Sequence, residues 1–245
     1  GRCFVCTAAI GRRRRTRRPA SGKADMGGAR QRAYLEAIGI TAWVARDRAV
    51  EAGEEIGAEP VPDPVAADWP QLQAQVAGCA RCELSENRTQ TVFGVGDPAA
   101  DWMIVGEAPG AEEDRQGEPF VGRAGQLLNA ILRAVGLRRE QVFIANILKC
   151  RPPQNRDPKS EEVEQCMPYL QRQVELVRPK LIVALGRVAA QNLLGSSEAI
   201  GRMRGRVHVF GAAEIPVIVT YHPAYLLRRP LEKRKVWQDM QMALS

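Results

Sequence analysis

The sequence predicts an α/β fold in which a parallel β-sheet is covered by helices on both faces. Short apolar segments alternate with longer amphipathic ones from Trp69 to the C-terminal end. One of them, Leu181–Leu185, is apolar at every position, which is typical of a strand buried on both faces. Strands that alternate with helices favour parallel pairing, because a parallel connection needs a long crossover. The ligand site of such a sheet lies beyond the carboxyl ends of its strands.

The predicted elements follow one another in a regular order. A first helix runs through Leu72 and Val76, and the longest helix lies between Asp157-Pro158 and Pro179, where proline limits it at both ends. Strands are predicted at Trp102–Val105, Val142–Ile147, Leu181–Leu185, Val207–Phe210 and Val217–Thr220. Helices are predicted at Gly125–Val135, Ser160–Leu176, Val188–Leu194 and Lys233–Leu244.

Composition limits the class of protein. The chain has 245 residues, of which 45% are hydrophobic and 26% charged, values typical of a globular protein rather than a disordered chain, a collagen or a coiled coil. Its apolar runs are far shorter than the roughly 20 residues of a membrane span, so no membrane association is expected. The net charge of +7 equals that of residues 1–25 alone. The charge of the whole chain therefore says little about the surface of its folded part.

Three regions are predicted along the chain. Residues 1–28 are expected to form a disordered basic arm. Because Met26 precedes the first helical pattern, residues 1–25 are interpreted as an upstream or non-native extension, with an Arg-rich targeting peptide or a nucleic-acid-binding arm as the alternative. Residues 29–68 read as a short helix followed by a linker rich in Pro, Ala and acidic residues. Residues 69–245 are the predicted folded domain.

Four cysteines suggest a metal centre. Cys79 and Cys82 form a CxxC turn, while Cys150 and Cys166 flank a proline-rich loop that can fold both towards one point. Four thiolates suit zinc or an iron–sulfur cluster, and the spacing does not distinguish them; the alternative is that these are buried apolar residues. Six cysteines are too few for a disulfide scaffold, and no secretory signal is visible, so a reducing, cytoplasmic setting is expected. The CxxC of the arm, Cys3 and Cys6, is interpreted as incidental.

Polar and glycine-rich segments follow three of the predicted strands, and these define a candidate site. Gly106–Gly110 follows the first strand, Asn146 ends the second, and His222 follows the last. Phe120, in a nearby loop, is either an ordinary core residue or a side chain that stacks on a planar base. Asn146 either caps the strand or reads the edge of uracil, whose donor pattern differs from that of cytosine.

These motifs together resemble family 4 uracil-DNA glycosylases, which are bacterial and archaeal DNA-repair enzymes with an iron–sulfur cluster. The resemblance covers about residues 70–245 and rests on five segments: Gly106-Glu-Ala-Pro-Gly110, Glu113-Asp114, Pro119-Phe-Val-Gly122, Asn146 with Lys149-Cys-Arg-Pro-Pro153, and His222-Pro-Ala-Tyr-Leu-Leu227. It implies a three-layer α/β/α fold with a central four-stranded parallel sheet. It also implies a 4Fe–4S cluster on Cys79, Cys82, Cys150 and Cys166.

The resemblance further implies hydrolysis of the N-glycosidic bond of deoxyuridine in DNA by a monomeric, monofunctional enzyme of base excision repair. Uracil would be bound by Gly106, Glu107, Ala108, Phe120, Asn146 and His222. His222 would stabilise the anion that develops on uracil O2. Ala108 stands where better known uracil glycosylases carry a water-activating Asp, so Glu107, Glu113 or Asp114 would assist the reaction, with Glu107 the first candidate. DNA would be contacted by Tyr225, Leu226, Arg228 and Arg204.

Two other functions are compatible with the sequence. One is a related protein that captures uracil-DNA without turnover, which carries an additional basic loop and a nucleophilic His after the Phe motif. Residues 123–128 contain neither, which argues against it. The other is a nucleic-acid-binding module stabilised by zinc or a cluster, without enzymatic activity.

Overall fold

The computed structural model describes residues 64–245. The predicted basic arm and nearly all of the predicted linker, residues 1–63, lie outside the described residues. Between residues 64 and 245, every helix is too short or too polar to cross a membrane.

A six-stranded sheet forms the centre of the described part of the chain. Its strands are β1 (Val95–Gly96), β2 (Trp102–Gly106), β3 (Phe143–Asn146), β4 (Leu181–Leu185), β5 (Val207–Phe210) and β6 (Ile215–Thr220), in the spatial order β1-β3-β2-β4-β6-β5. The strands β3, β2, β4 and β6 are parallel, whereas β1 and β5 pair with their neighbours in antiparallel orientation. The predicted α/β class and the central four parallel strands are confirmed.

The two edge strands correct the predicted sheet. The segment Val207–Phe210 is a strand, as predicted, but only a short turn joins it to β6, and so short a connection permits only antiparallel pairing. The strand β1 was not predicted, because it has two residues and Gly94 and Gly96 both adopt positive φ. A β-carbon on Gly94 would lie 2.8 Å from the Phe143 ring, so glycine is required there.

Helices cover both faces of the sheet. In chain order they are α1 (Trp69–Ala77), α2 (Leu84–Asn87), α3 (Ala111–Gln116), α4 (Arg123–Ala134), α5 (Ser160–Val177), α6 (Arg187–Leu194), α7 (Ile200–Met203), α8 (Pro223–Arg228) and α9 (Lys233–Leu244). The five helices predicted within residues 69–245 correspond to α1, α4, α5, α6 and α9, whereas the short helix predicted at the start of residues 29–68 lies outside the described residues. The short helices α3 and α8 follow the glycine-rich loop and His222, and neither was predicted.

Alternate side chains of each central strand enter two separate cores. In β2, Met103 and Val105 pack with α1, α5 and α6, whereas Ile104 packs with α4, α8 and α9. The same alternation divides the five residues of β4. This period of two is the reason that a continuous apolar strand can support a helical layer on each side.

The connections bring the carboxyl ends of four strands to one crevice. From the central strand β2 the chain passes to β3 on one side, and α5 then carries it across to β4 on the other. Such a reversal of strand order is a topological switch point, where open α/β sheets bind ligands. The register pairs Gly106 with Asn146 and Leu185 with Thr220, so the loops that follow these residues meet at this edge.

Candidate active site

A pocket of about 470 Å³ opens at the carboxyl edge of the sheet. Its walls come from the loops after β2 and β3, the Phe120 loop and the start of α8, and from the residues between Pro152 and Asp157. The polar side chains that line it are those of Glu107, Glu113, Asn146, Asn155, Arg156, Asp157, His222, Tyr225 and Arg228. The structure therefore brings together most of the predicted site residues.

Gly106 makes room for the two side chains that form the pocket floor. A β-carbon on this residue would collide with Asn146 Oδ1 and would lie 2.6 Å from Cζ of Phe120. Glycine is required here by space and not by its backbone angles. The amide of Asn146 and the ring of Phe120 can therefore meet above the last residue of β2.

Phe120 is held in an uncommon backbone conformation. Its φ of 55° lies in the left-handed region, which costs a bulky residue about 1–3 kcal/mol. Arg139 donates hydrogen bonds to the main-chain oxygens of Pro119 and Phe120. A β-carbon on Gly125 would collide with the Phe120 carbonyl group, so α4 also approaches this peptide closely. The ring lies 5.4 Å from the imidazole of His222, at an angle of 31° between the planes.

The amide oxygen of Asn146 has no hydrogen-bond partner among the described residues. The residue is only 2% exposed, and its Oδ1 atom is buried. A buried polar atom without a partner costs about 1–3 kcal/mol, which a ligand N–H donor would recover. The structure thus presents an acceptor aimed at the space beside Gly106 and Phe120.

Glu113 acts as a bridge between two loops. One carboxylate oxygen accepts the Gly110 N–H, while the other accepts the N–H groups of Val121 and Gly122, at 3.1 to 3.3 Å. Three main-chain donors on one carboxylate fix the glycine-rich loop against the Phe120 loop. The neighbouring Asp114 does not line the pocket; both its oxygens accept the Thr89 N–H.

His222 is a neutral imidazole that lines the pocket. Burial, and to a smaller extent the positive charge of Arg228, lowers the pKa of His222 to about 4. Its Nδ1 atom accepts the Ala224 N–H at 3.1 Å, where the residue caps α8. The neutral ring must therefore carry its proton on Nε2. A β-carbon on Gly186 would lie 3.0 Å from the His222 β-carbon, so a glycine after β4 is needed for this placement.

Glu107 is a pocket carboxyl group whose acidity is strongly perturbed. Burial, together with the nearby Asp157 carboxylate, raises the pKa of Glu107 to about 7, although Arg187 acts in the opposite direction. Arg187 and Asp157 form an ion pair of 2.5 Å at the pocket mouth. A carboxyl group with a pKa near neutrality can accept a proton from water during a reaction.

The four predicted cysteine ligands line one cavity on the α5 side of the sheet. Cys79, Cys82, Cys150 and Cys166 are all free thiols and share this cavity with Arg88. Between residues 64 and 245, no three Cys, His, Asp or Glu side chains already converge closely enough to hold a metal ion. Burial raises the pKa of the Cys166 thiol to about 12, so binding of a metal there would release a proton.

Positive and N–H donor groups face the sulfur atoms of this cavity. Arg88 Nη1 lies 2.9 Å from Cys150 Sγ, and the Lys149 N–H donates to Cys166 Sγ at 3.2 Å. The donor set consists of sulfur alone, which suits an iron–sulfur cluster or zinc. These residues fit such a group in their chemistry.

Two predicted DNA contacts are corrected by the structure. Leu226 is completely buried in the core beneath α8, so it cannot insert into DNA; the neighbouring Leu227 is 38% exposed. Arg204 is engaged inside the protein, where its Nε donates to Asp239 at 2.7 Å and its guanidinium lies over the Tyr221 ring. Tyr225 and Arg228 line the pocket as predicted candidates.

Sequence reasoning missed three residues that shape the site. Asp157 was interpreted only as the start of a helix, and Arg187 and Arg139 were not singled out. Each acts through a partner distant in the sequence: Asp157 through Arg187, and Arg139 through the Phe120 carbonyl. No local pattern signals such pairs.

Comparison with known proteins supports one family. Residues 93–241 match the family described as the uracil DNA glycosylase superfamily. A type-4 uracil-DNA glycosylase of Archaeoglobus fulgidus is 46% identical over 173 residues, which cover 68% of this chain and 87% of that protein. One of Thermotoga maritima is 45% identical over 178 residues, covering 71% of this chain and 92% of that protein. A type-5 uracil-DNA glycosylase of Pyrobaculum aerophilum is 32% identical over 183 residues, which cover 62% of this chain and 80% of that protein.

Proposed function

Because the chain belongs to the uracil DNA glycosylase superfamily, we propose that it is a type-4 enzyme that hydrolyses the N-glycosidic bond of deoxyuridine in DNA. The products are free uracil and an abasic site. The observation that carries this proposal is the buried Oδ1 atom of Asn146, which has no partner within residues 64–245 and lies beside Phe120, whose ring in turn packs against His222. Uracil supplies the N3–H donor that this atom lacks, whereas N3 of cytosine is an acceptor.

Recognition requires that the uracil leaves the DNA stack. Extrusion of a base costs a few kcal/mol, and a mispaired base costs least. In the pocket, uracil stacks on Phe120 and accepts a hydrogen bond at O4 from the Asn146 amide, while its N3–H donates to Oδ1. The loop backbone at Glu107 and Ala108 lines the same space and offers N–H groups to O2.

His222 stabilises the leaving base. As the bond between C1′ and N1 breaks, both electrons stay with uracil, and negative charge collects on O2. The Nε2–H of a neutral His222 donates to this oxygen more strongly in the transition state than in the ground state. Such a donor lowers the activation barrier without giving up its proton.

Glu107 completes the hydrolysis. Water attacks C1′ of the sugar cation, its oxygen forms the new bond, and its proton passes to the Glu107 carboxylate. The uracil anion then takes up a proton from solvent, and Glu107 returns its proton to solvent, which restores the carboxylate. Among residues 64–245, no lysine lines the pocket. Because a Schiff base with the sugar needs an amine, we expect a monofunctional enzyme without a lyase step.

A uracil-containing oligonucleotide distinguishes this function from its alternatives. Incubation with the protein followed by alkali is expected to break the strand at uracil, with many turnovers per enzyme. A matched oligonucleotide with cytosine at the same position serves as the control and is expected to stay intact. A stable protein–DNA adduct would support covalent capture instead, and binding without strand breakage would support a non-enzymatic module.

We also propose that Cys79, Cys82, Cys150 and Cys166 hold a 4Fe–4S cluster. Their shared cavity, all-sulfur donor set and facing positive groups support this assignment. These four cysteines lie in the CxxC turn, the loop after β3 and α5, so a bound cluster would join these three segments. Protein purified without oxygen is then brown and contains iron and sulfide in equal amounts; zinc in place of iron would overturn the assignment. Cys79→Ala is expected to lose the iron, whereas Cys3→Ala retains it.

The proposed partner is uracil-containing DNA, which the protein is expected to bind as a monomer. The proposed location is the reducing environment of the cytoplasm. Arg228 and Arg229 are exposed near the pocket mouth and are the candidate phosphate contacts. Leu227 replaces Leu226 as the candidate for the side chain that fills the gap left by the extruded base. The folded domain is proposed to begin near Trp69, where Asp68 caps α1.

A further inference from the structure

We propose that Lys149 is a positioning residue for Asn146, and that it holds the base-reading amide in place through the main-chain carbonyl of that residue. This inference rests on the proposed function of the pocket. It assigns a role in recognition to a buried ammonium group that does not reach the pocket itself.

The ammonium group of Lys149 joins three parts of the fold. The side chain is 2% exposed, and its Nζ atom donates to Asn146 O at 2.9 Å and to Gln173 Oε1 at 2.6 Å. Gln173, in α5, donates in turn from Nε2 to Phe93 O at 2.9 Å. The end of β3 is thereby tied to a rigid helix and to the segment before β1.

The main chain of Lys149 is held independently of this ammonium group. Its N–H donates to Cys166 Sγ at 3.2 Å, and its carbonyl accepts the Val92 N–H at 2.7 Å. These two bonds already fix the loop around Cys150. What the ammonium group adds are its bonds to the Asn146 carbonyl and to Gln173 Oε1.

A buried lysine needs a structural reason, because removing an ammonium group from water is costly. Lys149 also lines the cavity of the four cysteines, whose sulfur atoms favour a nearby positive charge. The hydrogen bonds of its Nζ atom, however, go to Asn146 and Gln173 and not to sulfur. What the ammonium group holds directly is therefore the end of β3.

The position of Asn146 tolerates little movement. Its Oδ1 atom lies against the space that a β-carbon of Gly106 would fill, beside the ring of Phe120. Rotation of the peptide group after Asn146 would turn its side chain relative to this ring. The bond from Lys149 to the carbonyl restrains that rotation.

A double-mutant cycle tests whether Lys149 acts through Asn146. The variants are Lys149→Met, Asn146→Ala and the two combined, with Lys180→Met as the matched control, because Lys180 is exposed and paired with Asp101 at the opposite edge of the sheet. The measurements are the single-turnover rate on uracil-DNA, inhibition by free uracil, affinity for abasic DNA, melting temperature and visible absorbance.

Lys149→Met is expected to lower the single-turnover rate by about 10–100-fold, which is the scale of a misplacement of about 1 Å. Inhibition by free uracil is expected to weaken by a similar factor. In the Asn146→Ala background, Lys149→Met is expected to lower the single-turnover rate by less than about threefold, because the side chain that Lys149 positions has already been removed. Affinity for abasic DNA and visible absorbance stay unchanged.

Gln173→Leu provides a second route if Lys149→Met fails to fold or loses its absorbance. It removes one acceptor of Nζ without touching a cysteine neighbour, and its effect on rate should also disappear when Asn146 is alanine. An equal loss of rate in both backgrounds, or no loss at all, would overturn the role of Lys149. Wild-type protein that releases no uracil would instead overturn the proposed function, and this inference with it.

Discussion

Gly106 and Asn146 occupy adjoining space at the carboxyl ends of β2 and β3, so that a β-carbon on Gly106 would collide with Asn146 Oδ1. The same β-carbon would lie 2.6 Å from Cζ of Phe120. Because Gly106 has no side chain, the Phe120 ring and the Asn146 amide can both occupy the space beside it. The pocket floor therefore depends on glycine at position 106 as much as on these two side chains.

Gly106→Ala is expected to reduce uracil release by about 10²-fold or more, because the methyl group displaces Asn146 or Phe120 from its position. Overpacking also costs about 1–3 kcal/mol of folding free energy. The measurement is the single-turnover rate together with the melting temperature. Gly201→Ala is the control, since a β-carbon there has nothing within 4 Å. Equal rates for the two variants would contradict the close packing.

His222→Ala is expected to lower the single-turnover rate by about 10²–10³-fold, the range for loss of one donor to a developing oxyanion. DNA affinity should fall much less, because phosphate contacts supply most of the binding. His208→Ala is the control, as that ring bonds to Met203 O on the edge of the sheet. A parallel loss of rate, affinity and melting temperature would indicate that His222 only supports the turn into α8.

The pH dependence should come from Glu107 and not from His222. Burial raises the pKa of Glu107 to about 7 and lowers that of His222 to about 4, so of these two groups only the carboxyl group changes its charge near neutrality. Since the carboxylate accepts the proton of water, the single-turnover rate should rise with pH and reach half its maximum near pH 7. Glu107→Gln should be slower and independent of pH.

Variants of the two charged neighbours of Glu107 test the direction of this pH dependence a second time. Asp157→Asn removes a negative charge that raises the pKa of Glu107, so the pH profile should move to lower pH. Arg187→Gln removes the opposing positive charge and should move it to higher pH. A rate that falls as pH rises through 7 would show that the protonated carboxyl group is the active form.

Two adjacent leucines should give opposite results. Leu227→Ala is expected to slow uracil release from duplex DNA while leaving single-stranded DNA unaffected, because only the duplex has a gap to fill. Leu226→Ala is expected to lower the free energy of unfolding by about 2–5 kcal/mol, since it is completely buried. Rates on both substrates and denaturant unfolding check this pair. A loss of duplex activity in the Leu226 variant alone, without loss of stability, would restore the original prediction.

Local signals in the sequence predicted the central strands and the long helices. The predicted helix Ser160–Leu176 differs from α5 by one residue, because Pro158 and Pro179 limit it from outside. The residues at strand ends could also be predicted to meet, since parallel strands present their carboxyl ends at one edge.

The roles of several side chains near the pocket depend on tertiary packing and could not be predicted from the sequence. The choice between Leu226 and Leu227 depends on which side of a single helical turn faces α4 and α9. The pairing of Arg204 with Asp239 joins residues 35 positions apart, which no local pattern reveals. The role of Arg139 likewise depends on the approach of its segment to the Phe120 loop.

The carboxylate of Glu113 has a consequence for how the pocket opens. Because Gly110, Val121 and Gly122 all donate to this one side chain, neither loop can swing away without breaking bonds that also hold the other. The two loops therefore form one cooperative opening unit, and their motions are correlated rather than independent. On this side of the pocket, an incoming base therefore meets two loops that the Glu113 carboxylate holds together.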